Sequence, residues 1–527
     1  MRHHVQVIGA GLGGLSAAIH LRLKGYDVTI FEKNHEPGGK LSRRYDAGHY
    51  FDLGPTVLTM PFVLEELFKA AGERLEDHIT LHPVEPTCRY YWSDGTAFDA
   101  WGEREKLLEE VARCFPEDVN EFRRFLGDIA RLYEATKDVF LFSPFRGVRE
   151  FFSLRNARLA PMLGSLGFTQ TVHRSLERRF HSPKLIQFLD RFATYNGSSP
   201  YSAPATLNVI PHVELAFGAW YPEGGMYRIV EVLTSLAESL GVKIHLSSEV
   251  EGVGCEGKRI TSLTVNGVRE SSNIVISNVD ALRMWKHLLD PAGLPIPTRL
   301  EREERSCSGF LMLATVEKVG ERESHHSIFF SDHYRQEFND LFETKSFPSE
   351  MTIYRSVSSV SDLSLTVEGE ENWYLLVNAP ARPELFANRV RVEKYSEMVL
   401  RRLEAFNQHP TVRSLSVMTP LDIEERYASL DGAIYGSASN SIFSAFMRQG
   451  NKVKGVENLY MVGGSVHPGG GNPSRSFVGK DCGANGREFI EWGVRRVESV
   501  VCRRFESGIG RIVVEASALR SVLSSYR

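Results

Sequence analysis

Two short apolar strands each run into a glycine-rich turn, one near each end of a chain of 527 residues, and they predict an α/β fold. The expected architecture is a Rossmann-like domain assembled from discontinuous segments. An α+β second domain should accompany it, because a chain this long exceeds what one core usually serves. Composition agrees: 42% hydrophobic and 24% charged residues are ordinary for a globular protein, and a net charge of −4 gives no global attraction to nucleic acid. The six cysteines are scattered without a CxxC pair, which argues against a disulfide framework or a zinc or iron–sulfur site. No window of about 18 apolar residues lacks charge, so no transmembrane helix is expected. The first glycine turn begins a few residues after Met1, leaving no room for a signal or transit peptide. A cytoplasmic protein is the expectation.

Val5, Val7 and Ile8 form the first strand. Gly9, Gly11 and Gly14 follow in GxGxxG spacing, then a helix over Leu15 to Leu23 that Gly25 ends. "YDVTIFEK" is the second strand, with Glu32 at its C-terminal end. This is a complete βαβ dinucleotide fingerprint. Gly9 permits the tight turn, Gly11 leaves room for a pyrophosphate at the helix N-terminus, and Gly14 lets helix and strand approach closely. Glu32 is placed to accept hydrogen bonds from a ribose diol, and a carboxylate there repels the 2′-phosphate of NADP.

The next residues separate NAD from FAD. Lys33 is followed by a second glycine turn, Gly38, Gly39 and Lys40, and by a third, Gly54, Pro55 and Thr56. An NAD dehydrogenase usually starts another βαβ unit here. This chain instead continues with flexible backbone and small polar groups, as needed to follow a longer cofactor, and FAD is the expected one.

These pieces, with "DLGPT", resemble the FAD-dependent carotenoid desaturases of the bacterial phytoene desaturase type, within the amine oxidase-like flavoproteins. "FGAWYPEGGMYRIVEVL" (217–233), "NIVISNVD" (273–280) and "NLYMVGGSVHPGGGNP" (458–473) are similar to further segments of that family. The resemblance implies that the late strand returns to the nucleotide domain beside the first strand. Its glycines would lie against the flavin, and the following helix would point its N-terminus, with about half a positive charge, at the flavin's N1/C2 edge. The implied cofactor contacts there are Gly463, Gly464, Gly470, Gly471 and Asn472, with Val250 added from the middle of the chain. After Pro473 the text "SRSFVGKDCGANGRE" departs from the family, because polar residues and Gly483 and Gly486 replace an apolar helix. A shorter or looser helix is expected there.

On this reading residues 1–90, 216–299 and 451–487 build the FAD domain, and 91–215 and 300–450 a substrate domain facing the membrane. In 137–168, Phe140, Phe142, Phe145, Phe151 and Phe152 interleave with Arg146, Arg149, Arg155 and Arg158. That pattern suits peripheral attachment to the cytoplasmic membrane, or a helical hairpin with one core face and one solvated face. The tail 488–527 matches no family pattern, although Ile490, Val494, Val497, Val501 and Phe505 fall on one helical face. The histidines lack metal spacing, so no metal is expected, and the pair His325-His326 reads as a loop feature. His467 falls inside the C-terminal signature and is expected near the flavin.

The implied function is desaturation of a hydrophobic carotenoid by hydride transfer to flavin, with an acceptor the sequence does not specify and no catalytic side chain singled out. Within the family, "GPTVLTMPFVLEELFKAAGERLEDHITL" resembles the 1-hydroxycarotenoid 3,4-desaturases (methoxyneurosporene dehydrogenases) as well as the phytoene desaturases. "HPGGG" leans toward late-acting relatives, carotenoid oxygenases included. An amine oxidase would need a compact polar pocket with an aromatic cage. A prenyl-binding protein of the Rab GDP-dissociation-inhibitor type shares the fold without flavin, and the intact glycine clusters with Glu32 argue against it.

Overall fold

β1 (His4–Ile8), α1 (Leu12–Leu23) and β2 (Asp27–Phe31) form the expected βαβ unit. They belong to a computed structural model that describes residues 4–137, 170–318, 324–441, 444 and 448–467. The chain divides into two units, Met1–Phe477 and Val478–Arg527, and everything below concerns the first. The aromatic–arginine stretch after Lys137, Gly470, Gly471, Asn472 and the tail lie outside the described residues.

The unit is held in a five-stranded parallel sheet with the order Leu459–Met461, Ile274–Ser277, β1, β2, Lys243–His245. Its strands come from three distant parts of the chain. The order corrects one expectation. The late strand does not lie beside β1, because Ile274–Ser277 is hydrogen-bonded between them, pairing with β1 on one side and with Leu459–Met461 on the other. β1 already has β2 on its remaining edge, so the late strand can only extend the sheet outward. The helix α1 packs on this sheet through Leu15, Ala17, Ala18, Ile19 and Leu21, all buried, and ends where Gly25 turns at φ 87°.

A second, mostly antiparallel sheet has seven strands. Its order is Val412–Met418, Ser308–Glu317, Glu370–Ala379, Ile353–Val357, His326–Phe329, Cys88–Tyr91, Ala97–Ala100. Cys88–Tyr91 spans the boundary expected at residue 90 and pairs in parallel with His326–Phe329. The strand Ser308–Glu317 reads as an almost unbroken apolar run because both faces are covered. Phe310, Met312, Ala314 and Val316 enter one core with the helix Arg389–Glu404, while Leu311 and Leu313 enter another with Phe51 and Met418. Helices Val119–Thr136, Pro183–Asp190 and Ile210–Phe217 form a third region whose core is rich in phenylalanine. No helix among the described residues is long and apolar enough to cross a membrane.

Candidate functional site

The helix α1 starts on Gly11, and no side chain caps its first amides. No acid occupies its first turn either, so its free N–H groups form a site for an anion. Two of the three glycines of the first turn are fixed by contact and the third by its backbone angle. A Cβ at Gly14 would run into the carbonyl oxygen of Gly9, and one at Gly11 would come within 2.5 Å of Asn278 Oδ1. Gly9 itself holds φ 94°.

Glu32 is buried directly after β2. One carboxylate oxygen accepts the amide of Ala10 at 2.8 Å and the other the amide of Asn34 at 2.9 Å. The acid therefore ties the end of β2 to the glycine turn. Each oxygen keeps a lone pair for a further donor such as a ribose hydroxyl. Ser248 donates its amide to the Glu32 carbonyl, which brings Val250 to the same place.

The second turn docks on the first. The Gly38 amide donates to the Ala10 carbonyl, and a Cβ on Gly39 would lie 3.2 Å from Gly11 Cα. Lys33 and Lys40 reach elsewhere: their ammonium groups donate to the Glu425 and Ile434 carbonyls, binding the 425–434 stretch over this turn. Burial lowers the pKa of Lys33.

The third turn is anchored by Asp52. Its carboxylate accepts Tyr50 and Tyr221 hydroxyls at 2.6 Å each and the Met226 amide at 3.0 Å. This joins "DLGPT" to the Gly224-Gly225 turn. Burial pushes Asp52 up to about 6 against those hydrogen bonds. Gly54, Pro55 and Thr56 then line the cavity, with Thr56 Oγ1 2.6 Å from the Tyr354 hydroxyl.

The late turn arrives through Asn278. Its backbone amide donates to Ile8 and its side chain to the Val462 carbonyl at 3.1 Å. A Cβ at Gly13 would lie 3.2 Å from Gly463 Cα, so the N- and C-terminal glycine turns touch with Asn278 wedged beside them. Beneath, the buried Arg448 guanidinium donates to the carbonyls of Gly464, Tyr435 and Ser437. Burial brings it down to about 10, so it remains a cation at neutral pH.

One cavity of about 990 Å³ unites these pieces. Gly9, Gly11, Glu32, Lys33, Gly38, Gly39 and Lys40 line it, as do Gly54, Pro55, Thr56, Val250, Gly463 and Gly464. Gly14 lies behind it as a packing glycine. His467 is buried on its wall.

Several lining groups carry no sequence motif. Arg191 and Glu214 form a buried ion pair at 3.1 Å, with the Tyr195 hydroxyl donating to Glu214 and Arg191 donating to Tyr90. Behind Tyr354, His326 corrects the loop expectation: it opens a strand of the seven-stranded sheet, paired with Ser356, while His325 lies in the bend just before it, and both are buried. The run "SHHSIFF" carries the apolar signal that could have marked a strand.

A parallel sheet, an uncapped helix N-terminus and a large cavity ringed by glycine turns define a dinucleotide-binding fold. The sequence profile of the flavin containing amine oxidoreductases matches residues 12–313, and this chain belongs to that family. It is an FAD-dependent oxidoreductase, and the glycine cradle and uncapped helix fit that cofactor. Among curated proteins it is 34% identical to a 1-hydroxycarotenoid 3,4-desaturase from Flavobacterium sp., over 89% of this chain and 95% of that one. It is 35% identical to a 4,4'-diapolycopene oxygenase from Methylomonas sp., over 90% and 96%. A 4,4'-diaponeurosporene oxygenase from Staphylococcus aureus is 31% identical over 91% and 97%.

Solved structures share the fold. An oxidoreductase from Methanosarcina mazei superposes with a TM-score of 0.59 at 16% identity, covering 94% of this chain and all of that one. Putrescine oxidase bound to putrescine gives 0.58 at 16%, covering 95% and 99%.

Proposed function

We propose that this protein is an FAD-dependent carotenoid desaturase that introduces carbon–carbon double bonds into a long polyene. The carrying observation is the lining of the cavity. Beyond the glycine turns it is walled by Met60, just ahead of helix Phe62–Ala71, by Val63, Leu64 and Leu67 of that helix, and by Leu132 and Val213 of helices Val119–Thr136 and Ile210–Phe217. An apolar channel that continues from a flavin cradle suits a hydrocarbon chain drawn past the ring. The desaturase and the oxygenases to which the chain is similar are named for polyene substrates.

FAD, when bound, would supply the two-electron acceptor that removal of hydrogen from a saturated carbon requires. The chain's own residues do the rest. Gly9 and Gly11 would admit the pyrophosphate to the amides of α1, and Glu32 would accept the ribose hydroxyls. Gly54, Pro55, Thr56, Gly463 and Gly464, which line the cavity, would border the ring system. Arg448, held under the late turn, adds positive potential on that side. The apolar wall excludes water and aligns the chain.

Peripheral membrane attachment through 137–168 belongs to the same reading. Thr136, at the end of helix Val119–Thr136, lines the cavity, so the apolar channel reaches the point where that stretch begins.

The test is direct. Purified protein should be yellow, absorbing near about 450 nm. Supplied in liposomes with acyclic carotenoids, hydroxylated and not, it should yield products two hydrogens lighter. A product that gains oxygen would replace the reading by an oxygenase. Flavin reduction by amines and by no carotenoid would overturn it.

A further inference from the structure

A line of side chains joins the large cavity to a second cleft. Tyr354 lines the cavity, and its hydroxyl lies 2.6 Å from Thr56 Oγ1 and 2.9 Å from His326 Nδ1. The His326 ring lies against His325, with centroids 4.2 Å apart. His325 Nδ1 is 2.6 Å from Ser361 Oγ. Ser324, His325 and Ser361 in turn line a cleft of about 670 Å³ whose walls include His82, Glu85 and Arg89.

Both imidazoles are buried, and the Nε2 of each has no hydrogen-bond partner among the described residues. Burial pushes His325 down to about 3. It takes His326 well below its ordinary value, with His325 and Arg191 acting in the same direction. Each ring is therefore neutral at neutral pH, with one donor and one acceptor nitrogen. If Tyr354 donates to His326 Nδ1, the His326 proton is on Nε2. If His325 donates from Nδ1 to Ser361, its Nε2 is an acceptor. The two unpaired nitrogens then have complementary roles. A purely structural pair would be expected to satisfy them or to be apolar, since unpaired buried polar atoms cost stability.

We propose that Tyr354, His326 and His325 form a proton-exit path from the cavity to the surface cleft, resting on the desaturase reading. Desaturation removes one hydrogen with its electron pair, which the bound FAD takes up, and a proton from the neighbouring carbon. The electron pair of that second C–H bond becomes the new π bond. Its proton passes to the Tyr354 oxygen as the Tyr354 proton moves to His326 Nδ1. The two Nε2 atoms are not hydrogen-bonded to each other at rest, so the adjacent rings must turn to bring them within reach; His326 then gives up its Nε2 proton to His325 Nε2, and His325 releases its Nδ1 proton through Ser361 to the cleft. One proton leaves, every group ends neutral, and both histidines have exchanged tautomers, which proton exchange with water entering from the cleft restores.

The resting holoenzyme offers a test that needs no turnover. With 15N-labelled histidine, His326 should show a protonated Nε2 and a bare Nδ1; the opposite tautomer would overturn the path. The kinetic test follows anaerobic bleaching of bound flavin by carotenoid in liposomes. Bleaching by the wild type tests the desaturase reading, and the ratio of variant to wild type tests the path. Tyr354→Phe should slow bleaching about 100-fold, the lower end of general acid–base effects, with FAD content and carotenoid affinity unchanged. His325→Gly, at the outer end, should slow it about tenfold, and added imidazole should restore it. Wild-type rates in both folded variants, or a His325→Gly defect that imidazole does not relieve, would overturn it.

Discussion

At the scale of the residue, Glu32 holds two backbone amides, Ala10 and Asn34, as well as facing the cavity. Glu32→Arg would leave both donors unpaired and place an unpaired charge in a buried position, at a cost of roughly 3 kcal/mol or more. The expected outcome is loss of FAD from the purified variant while the seven-stranded sheet stays folded. Flavin content and circular dichroism check it, and normal flavin content would refute it. Asp52 makes a pH prediction. Its folded pKa of about 6 lies above the ordinary 3.8, with burial the largest cause. Its contribution to stability is therefore fully present below pH 3.8 and is lost as pH rises through 6, by up to about 3 kcal/mol. Urea unfolding between pH 4 and 7 should show this slope in the wild type and a flatter profile in Asp52→Asn. Parallel profiles would refute the assignment.

At the scale of the element, two glycine turns from opposite ends of the chain meet through one side chain that follows a third strand. Asn278 pairs with Val462 and fills the space that a Cβ on Gly11, Gly13 or Gly463 would need. Asn278→Ala removes the hydrogen bond and the spacer together. Loss of about 1 kcal/mol predicts a melting temperature lower by roughly 2–4 °C. FAD affinity should fall about tenfold, the equivalent of about 1.4 kcal/mol, because the two turns no longer hold a fixed separation. Thermal melts with and without added FAD measure both. An unchanged affinity would show that the turns keep their places without this clip. The three-residue edge strand Leu459–Met461 is short for the position it sets, and the Asn278 and Ser465 contacts, the latter to the Ala281 amide, supplement it.

At the scale of the whole molecule, an apolar channel has to receive a substrate that water does not carry. Its helical wall ends at Thr136, immediately before the aromatic–arginine stretch. Membrane attachment through that stretch predicts co-sedimentation with anionic liposomes, weakened by high salt and by changing Phe140, Phe142, Phe145, Phe151 and Phe152 to Ser. Each basic residue near an anionic surface contributes about 1 kcal/mol, so the salt effect should be large. Binding that ignores both changes would sink the assignment.

The sequence by itself determined the βαβ unit, the role of Glu32 as the acid after β2, and the glycine turns that follow it. These depend on spacing within about 30 residues, where strand and helix periods and φ-permissive glycines are readable directly. Its "NIVISNVD" and "NLYMVGG" strands were legible for the same reason. What it could not determine was their order. Parallel strands from distant segments are placed by edge pairing, so the position of Ile274–Ser277 between β1 and the late strand was decided only in three dimensions. The same limit hid the groups that share the cavity. Arg191, Glu214 and Tyr354, which line it, and His326 and Arg448 behind its wall have no common spacing in the sequence. Only the packing of the helices and the seven-stranded sheet brings Arg191 to Glu214 and Tyr354 to His326. Burial, a property of the folded core, then makes those polar groups chemically distinct from their surface counterparts.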